Sequence, residues 1–179
     1  MDIDEAVAFL RSRRGLLDGV VLSGGECTLH RAIFPLLAST KQLGFSAKVD
    51  TNGSRPAVLN ALIKQGLVDY VALDFKALES RYQPVTRSGL FPAFAESLAL
   101  LIAGDIPFEV RTTVHSELTS GEDLRMMVAY LQRAGYTGNY YLQHYVNDVP
   151  VLDGTLGRSS RQVDPECLST EDIQVVQRG

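Results

Sequence analysis

Helix-period and strand-like segments alternate along almost the whole chain. That alternation restricts it to an α/β fold in which crossover helices join parallel strands. Ile3, Ala6, Val7 and Leu10 recur at the spacing of an amphipathic helix over 2–14, and the apolar run Gly19-Val20-Val21-Leu22 reads as a buried strand. A second helix is predicted over 31–43, with Pro35 tolerable only in its first turn and Gly44 as its stop, followed by a strand over 45–49. Ser54 is the expected cap of a third helix that ends at Gly66, and Tyr70-Val71-Ala72-Leu73 is the next strand. Residues 77–90 read as a polar loop, 91–103 as a helix and 108–114 as a strand. Ser120 opens a further helix closed by Gly135, and Tyr140-Tyr141-Leu142 begins a fifth strand. Beyond 146 the pattern fades, and only 170–178 reads as a short closing helix. The periodicity leaves two architectures open, an open doubly wound sheet and part of a barrel.

Composition removes several classes of function. The chain has 179 residues, 45% of them hydrophobic and 21% charged, which suits a single globular domain rather than a disordered tail. With 17 Lys+Arg against 21 Asp+Glu and no basic cluster beyond Arg11, Arg13 and Arg14, nucleic acid is not an expected partner. No apolar run approaches the roughly 20 residues of a membrane span, and the start Met1-Asp2-Ile3-Asp4-Glu5 is unlike a signal peptide, so a cytoplasmic protein is expected. The two cysteines, Cys27 and Cys167, form neither a disulfide framework nor a C-x-x-C pair.

Polar residues collect at one kind of place, the C-terminal ends of the strands, where parallel α/β folds build their sites. Gly24-Gly25 lets a ligand approach the backbone, and Glu26 beside it could accept from an ammonium group. Asp50, Thr51 and Asp74 offer hard oxygens for a cation or for polar contacts to a ribose, unless Asp50 only forms an Asx-turn over Asn52-Gly53. Lys76 is either an amine nucleophile, as in a Schiff-base aldolase with Asp50 or Asp74 as acid/base, or a fixed cation for a carboxylate. Arg111, inside an otherwise apolar strand, needs an anionic partner such as a substrate carboxylate or Glu26. His144 stands at the end of the fifth strand. His30 reads as a surface residue, His115 has no metal-ligand spacing, and Tyr140, Tyr141 and Tyr145 are expected to pack.

Ser23-Gly24-Gly25-Glu26, Asp50-Thr51-Asn52-Gly53, Leu73-Asp74-Phe75-Lys76 and Glu109-Val110-Arg111-Thr112-Thr113-Val114 occur in an order and spacing that resembles the radical S-adenosylmethionine (SAM) superfamily. The resemblance is to activating enzymes of glycyl-radical enzymes, and most of all to the type that activates anaerobic ribonucleoside-triphosphate reductase. It implies a partial parallel (β/α)6 barrel over 1–146, with 147–179 as a C-terminal extension packing on it. It implies SAM held across the strand ends: Gly24, Gly25 and Glu26 at the methionine amino group, and Asp50, Thr51 and Asp74 at SAM or a monovalent cation. Lys76 and Arg111 fall at the methionine carboxylate, and His144 near the ribose. It further implies a [4Fe–4S] cluster, a glycyl-radical enzyme as partner and a flavodoxin-like or ferredoxin-like electron donor.

Two departures accompany the resemblance. Cys27 stands where the family usually has proline, and the family's Cys-x-x-x-Cys-x-x-Cys loop with its preceding first strand is not in the sequence. The expectation is therefore a barrel lacking its first strand, inactive by itself as an oxidoreductase. The alternative is a cluster-free domain that binds SAM without cleaving it.

Overall fold

The structure, a computed structural model, describes residues 2–147, 156–160 and 164–178. It is an α/β fold whose six strands follow the order β1-β2-β3-β4-β5-β6 in a parallel sheet. Sequential order is the order of a barrel or part of one. A doubly wound sheet reverses direction from its first strand, so the barrel reading stands and the open alternative falls. The chain forms two compact units, Met1–Asp74 with Pro92–Phe108, and Phe75–Phe91 with Glu109–Gly179.

The first unit holds α1 (Ile3–Ser12), β1 (Gly19–Leu22), α2 (Ile33–Gln42), β2 (Ser46–Thr51), α3 (Pro56–Lys64) and β3 (Tyr70–Asp74), and most of the helix Phe91–Ala103. Asp2 starts α1 through a capping box with Glu5, which satisfies two otherwise orphaned N–H groups. The third helix does not start at Ser54: Pro56 occupies its first position and Arg55 flanks it without a side-chain cap. Ser54 instead donates its N–H to Asn52 Oδ1 at 2.9 Å, so it closes a turn. Val49, Val71, Leu73, Leu59, Leu62, Phe94 and Leu98 are at most 1% exposed and form the core on one face of the strands. The register pairs Lys48 with Tyr70 and Asp50 with Ala72, so Lys48, Asp50, Tyr70 and Asp74 share the opposite, more open face.

The second unit holds α4 (Glu79–Thr86), β4 (Phe108–Val114, from Glu109 on), α6 (Gly121–Arg133), β5 (Gly138–His144) and β6 (Ile173–Arg178), with α5 the intervening helix Phe91–Ala103. The helix α4 lies where a loop is predicted. It was hidden because its sequence is polar, contains Pro84 and buries only Tyr82. Residues 173–178 form a strand rather than the predicted closing helix. Ile173 and Val175 alternate with exposed Gln174, a period of two, and the strand pairs β5 in parallel from Gly138↔Ile173 to Gln143↔Arg178. The core is Val110, Leu124, Met127, Leu131, Tyr140 and Ile173, with an aromatic chain in which Phe91 lies 5.6 Å from both Tyr82 and Tyr130, and Phe75 5.6 Å from Tyr130. Among the described residues, no single helix is long and apolar enough to cross a membrane.

Candidate functional site

In the first unit the site grows out of two strand ends. The chain leaves β1 through Ser23, Gly24 and Gly25, with φ of +95° at Gly24 and +53° at Gly25. That conformation is cheap only for residues without a Cβ. Nothing lies within 4 Å of where a Cβ would sit at either glycine. Backbone conformation requires these glycines, and open space above them leaves both peptides accessible.

The turn is held from below by Glu26, which is buried at 8% exposure. Its Oε1 accepts from Thr28 N–H at 3.1 Å, Thr28 Oγ1 at 2.5 Å and Thr51 Oγ1 at 2.8 Å, and its Oε2 accepts from Asn52 N–H at 2.7 Å. A buried carboxylate is tolerable only when its oxygens are satisfied in this way. The sequence suggested Glu26 as an acceptor for a ligand ammonium or as the partner of Arg111. In the structure it clasps the turn after β1 to the end of β2, and its unused acceptor capacity lies mainly on Oε2.

The Asp50-Thr51-Asn52-Gly53 turn is built by three side chains with different tasks. Thr51 faces the core side, where its hydroxyl donates to Glu26 and accepts from Gly53 N–H at 3.1 Å. Asn52, rather than Asp50, makes the Asx-turn. Asp50 points to the opposite face, where Lys48 Nζ lies 3.8 Å from its Oδ1. The strand alternation therefore separates the side chains of Asp50 and Thr51, which the sequence reading had grouped, and keeps Asp50 and Asp74 on one face. Cys27 Sγ donates to the Asp50 carbonyl at 3.3 Å, and burial, with Glu26 beside it, pushes its thiol up to about 12.

In the second unit, Arg111 lies in register with Tyr141, and Thr113, Gln143 and Arg178 form the next row towards the strand ends. Arg178, which sequence reading missed, stacks its guanidinium 3.3 Å from the Tyr141 ring centroid and pairs with buried Glu109 at 3.1 Å. Tyr141 thus serves the open face, whereas Tyr140 packs as expected, its hydroxyl 2.6 Å from Thr112 Oγ1. Alternation from Gln174 through Val176 to Arg178 was the signal available for this strand. His144 falls on the face of Tyr140 and Leu142, opposite to Arg111 and Gln143, where it meets Gln177. Lys76 follows β3 and is half-buried. His115 is buried; its Nε2 lies 3.0 Å from the Gly157 carbonyl and its Nδ1 accepts from Glu117 N–H, so it anchors the 156–160 segment. His30 is on the surface, as expected.

The radical SAM superfamily profile matches residues 1–134, and the chain belongs to that superfamily. A Methanocaldococcus jannaschii protein with the provisional name glycyl-radical enzyme activating enzyme MJ1227 is 45% identical over 67 residues, 37% of this chain and 28% of that relative. The chain therefore matches well under a third of that relative's length. Among solved structures, a domain of pyruvate-formate lyase-activating enzyme from Bacteroides vulgatus superposes with a TM-score of 0.62 at 15% identity, covering 77% of this chain and 87% of that one. A structure of TYW1 with a lysine–pyruvate adduct bound superposes at 0.60 and 17% identity, covering 82% and 52%. Both share the fold.

Two groups are implied by the superfamily, and the residues present fit only one of them. The exposed Gly24-Gly25 backbone, the clasped Glu26 and the half-buried carboxylates of Asp50 and Asp74 suit a ligand carrying an ammonium group, as SAM does. The iron–sulfur cluster does not fit. Three clustered thiolates are needed, and the two cysteines are a buried Cys27 and an exposed Cys167 beside Asp164. Among the described residues no group of three His, Cys, Asp or Glu could hold a metal ion.

Proposed function

We propose that this chain is the SAM-binding part of an activating enzyme for a glycyl-radical enzyme, of the kind that serves anaerobic ribonucleoside-triphosphate reductase. The observation that carries the reading is the exposed Gly24-Gly25 turn locked by Glu26 to the Asp50-Thr51-Asn52 turn, in a radical SAM chain. Gly24, Gly25 and Glu26 take the methionine amino group. Asp50 and Asp74 orient the ligand or a monovalent cation, and Thr51 fixes the turn that carries Asp50. Lys76 and Arg111, which the resemblance places at the methionine carboxylate, belong to the second unit, and the reading does not rest on them. His144 is assigned to the ribose on resemblance alone, against the face on which it lies. The protein's own part is to bind, orient and shield SAM; the radical chemistry requires the cluster, which these residues do not hold. We place the protein in the cytoplasm, with a flavodoxin-like or ferredoxin-like donor as the source of electrons.

The experiment is anaerobic incubation of the native gene product containing these residues with reductant, SAM and anaerobic ribonucleotide reductase. Release of 5′-deoxyadenosine and a glycyl-radical EPR signal are expected, and the 179-residue chain alone is expected to give neither. The cysteine count supports a second reading, a cluster-free SAM-binding domain. A native product that binds SAM without cleaving it establishes that reading instead. The Gly-Gly-Glu turn serves no step of Schiff-base chemistry, so Lys76 as an amine nucleophile is the weakest of the three.

A further inference from the structure

Thr28 was singled out by no motif, yet it makes the closest contact of the Glu26 clasp. It is 4% exposed, and it gives both its N–H and its hydroxyl to one oxygen, Glu26 Oε1, at 3.1 Å and 2.5 Å. With Thr51 as third donor, Oε1 is saturated. Among the described residues Oε2 takes only Asn52 N–H, which leaves it a lone pair for a further donor. The hydroxyl of Thr28 is thus one of three donors that hold Oε1 inward, in the residue that directly follows the Gly24-Gly25 peptides.

We propose that Thr28 is a positioning residue. By fixing the Glu26 carboxylate it aims Oε2 and the Gly24-Gly25 backbone at the ammonium group of a bound ligand, and so sets affinity for the amino-acid end of SAM. The inference rests on the SAM reading of this turn. Its signature is selectivity, because a merely structural hydroxyl supports every part of a ligand alike. Without the hydroxyl the carboxylate is less well aimed, and the contact it makes with the ammonium group weakens roughly tenfold.

The test is calorimetric titration of wild type, Thr28→Val and Thr28→Ser with two probes, SAM and 5′-methylthioadenosine, which keeps the adenosine and sulfur but lacks the amino-acid end. Circular dichroism confirms that each variant is folded. Thr28→Val should raise the Kd for SAM about tenfold and leave that for methylthioadenosine within about twofold, while Thr28→Ser restores SAM binding. Equal affinity of Thr28→Val and wild type for SAM overturns the proposal, as does parallel loss of both probes. If Thr28→Val does not fold, Thr28→Ala keeps the N–H, drops the hydroxyl without added bulk and gives the same comparison. Wild type that binds methylthioadenosine but not SAM, or neither, overturns the SAM reading and this proposal with it.

Discussion

Glu26 Oε1 accepts a hydrogen bond from Thr51 Oγ1 at 2.8 Å, and this contact joins two turns that lie 25 residues apart in the chain. The bond is buried, and it is one of four that the same carboxylate accepts. Replacing Glu26 by Gln removes the charge and turns an amide N–H₂ towards donors that need an acceptor. Glu26→Gln should cost on the order of 3 kcal/mol and lower Tm by roughly 6–12 °C. Thermal denaturation measures it, and a Tm within about 2 °C of wild type would show that the clasp contributes nothing.

Gly53 and Gly66 both lie at positive φ, +73° and +65°. A Cβ on Gly66 meets nothing within 4 Å, whereas one on Gly53 would lie 2.9 Å from Leu73 Cδ1, 3.2 Å from Ser97 Cβ and 3.3 Å from the Phe94 Cα. Gly66→Ala should cost only the backbone strain, about 1 kcal/mol. Gly53→Ala adds steric crowding against buried Leu73, Ser97 and the Phe94 backbone, and should cost about 3 kcal/mol or more. Urea denaturation of the two variants gives the difference directly.

Acid should weaken the second unit through Asp123. Burial alone would raise its carboxyl, but the Ser120 hydroxyl and N–H and the Arg81 guanidinium at 2.9 Å outweigh that and hold it below its ordinary value of 3.8. A native value below the unfolded one means that this stabilisation is complete above about pH 5 and is lost as pH falls through the native value. Asp123→Asn should therefore be less stable than wild type at pH 7. The gap should narrow below about pH 4. A gap that stayed constant from pH 7 to pH 3 would exclude this ion pair as a source of acid sensitivity.

The two thiols should behave differently. Cys27 is buried with its thiol pushed up to about 12, so almost none of it is thiolate at pH 8. Cys167 is exposed and, although Asp164 raises its thiol too, is open to reagents. A chromogenic disulfide at pH 8 should label one thiol promptly and the second only on unfolding. Prompt labelling of both would mean that the α1–β1 side of the first unit opens readily.

Much of the architecture was legible because its elements have strong periodicity. The strand Gly19–Leu22 and the helix Phe91–Ala103 fall where the apolar residues place them. The helix Glu79–Thr86 escaped because Pro84 and a polar composition leave no stripe to read, and β6 escaped because a six-residue segment with two buried positions is too short to tell a period of 2 from one of 3.6. At the candidate site, residue types and order pointed to the Gly24-Gly25-Glu26 and Asp50-Thr51-Asn52 turns. Side-chain direction was not legible. That Glu26 would turn inward onto Thr28 and Thr51, and that Arg178 would come to rest on Tyr141, depend on partners 2 to 37 positions away that only the folded chain brings into place.

The most direct test of the central claim is a ¹H–¹⁵N correlation spectrum of the protein titrated with SAM. Saturable shifts centred on the amides of Gly24, Gly25, Glu26, Asn52 and Gly53 are the predicted result. A spectrum that SAM leaves unchanged, or one whose shifts are confined to residues away from these two turns, would contradict the account.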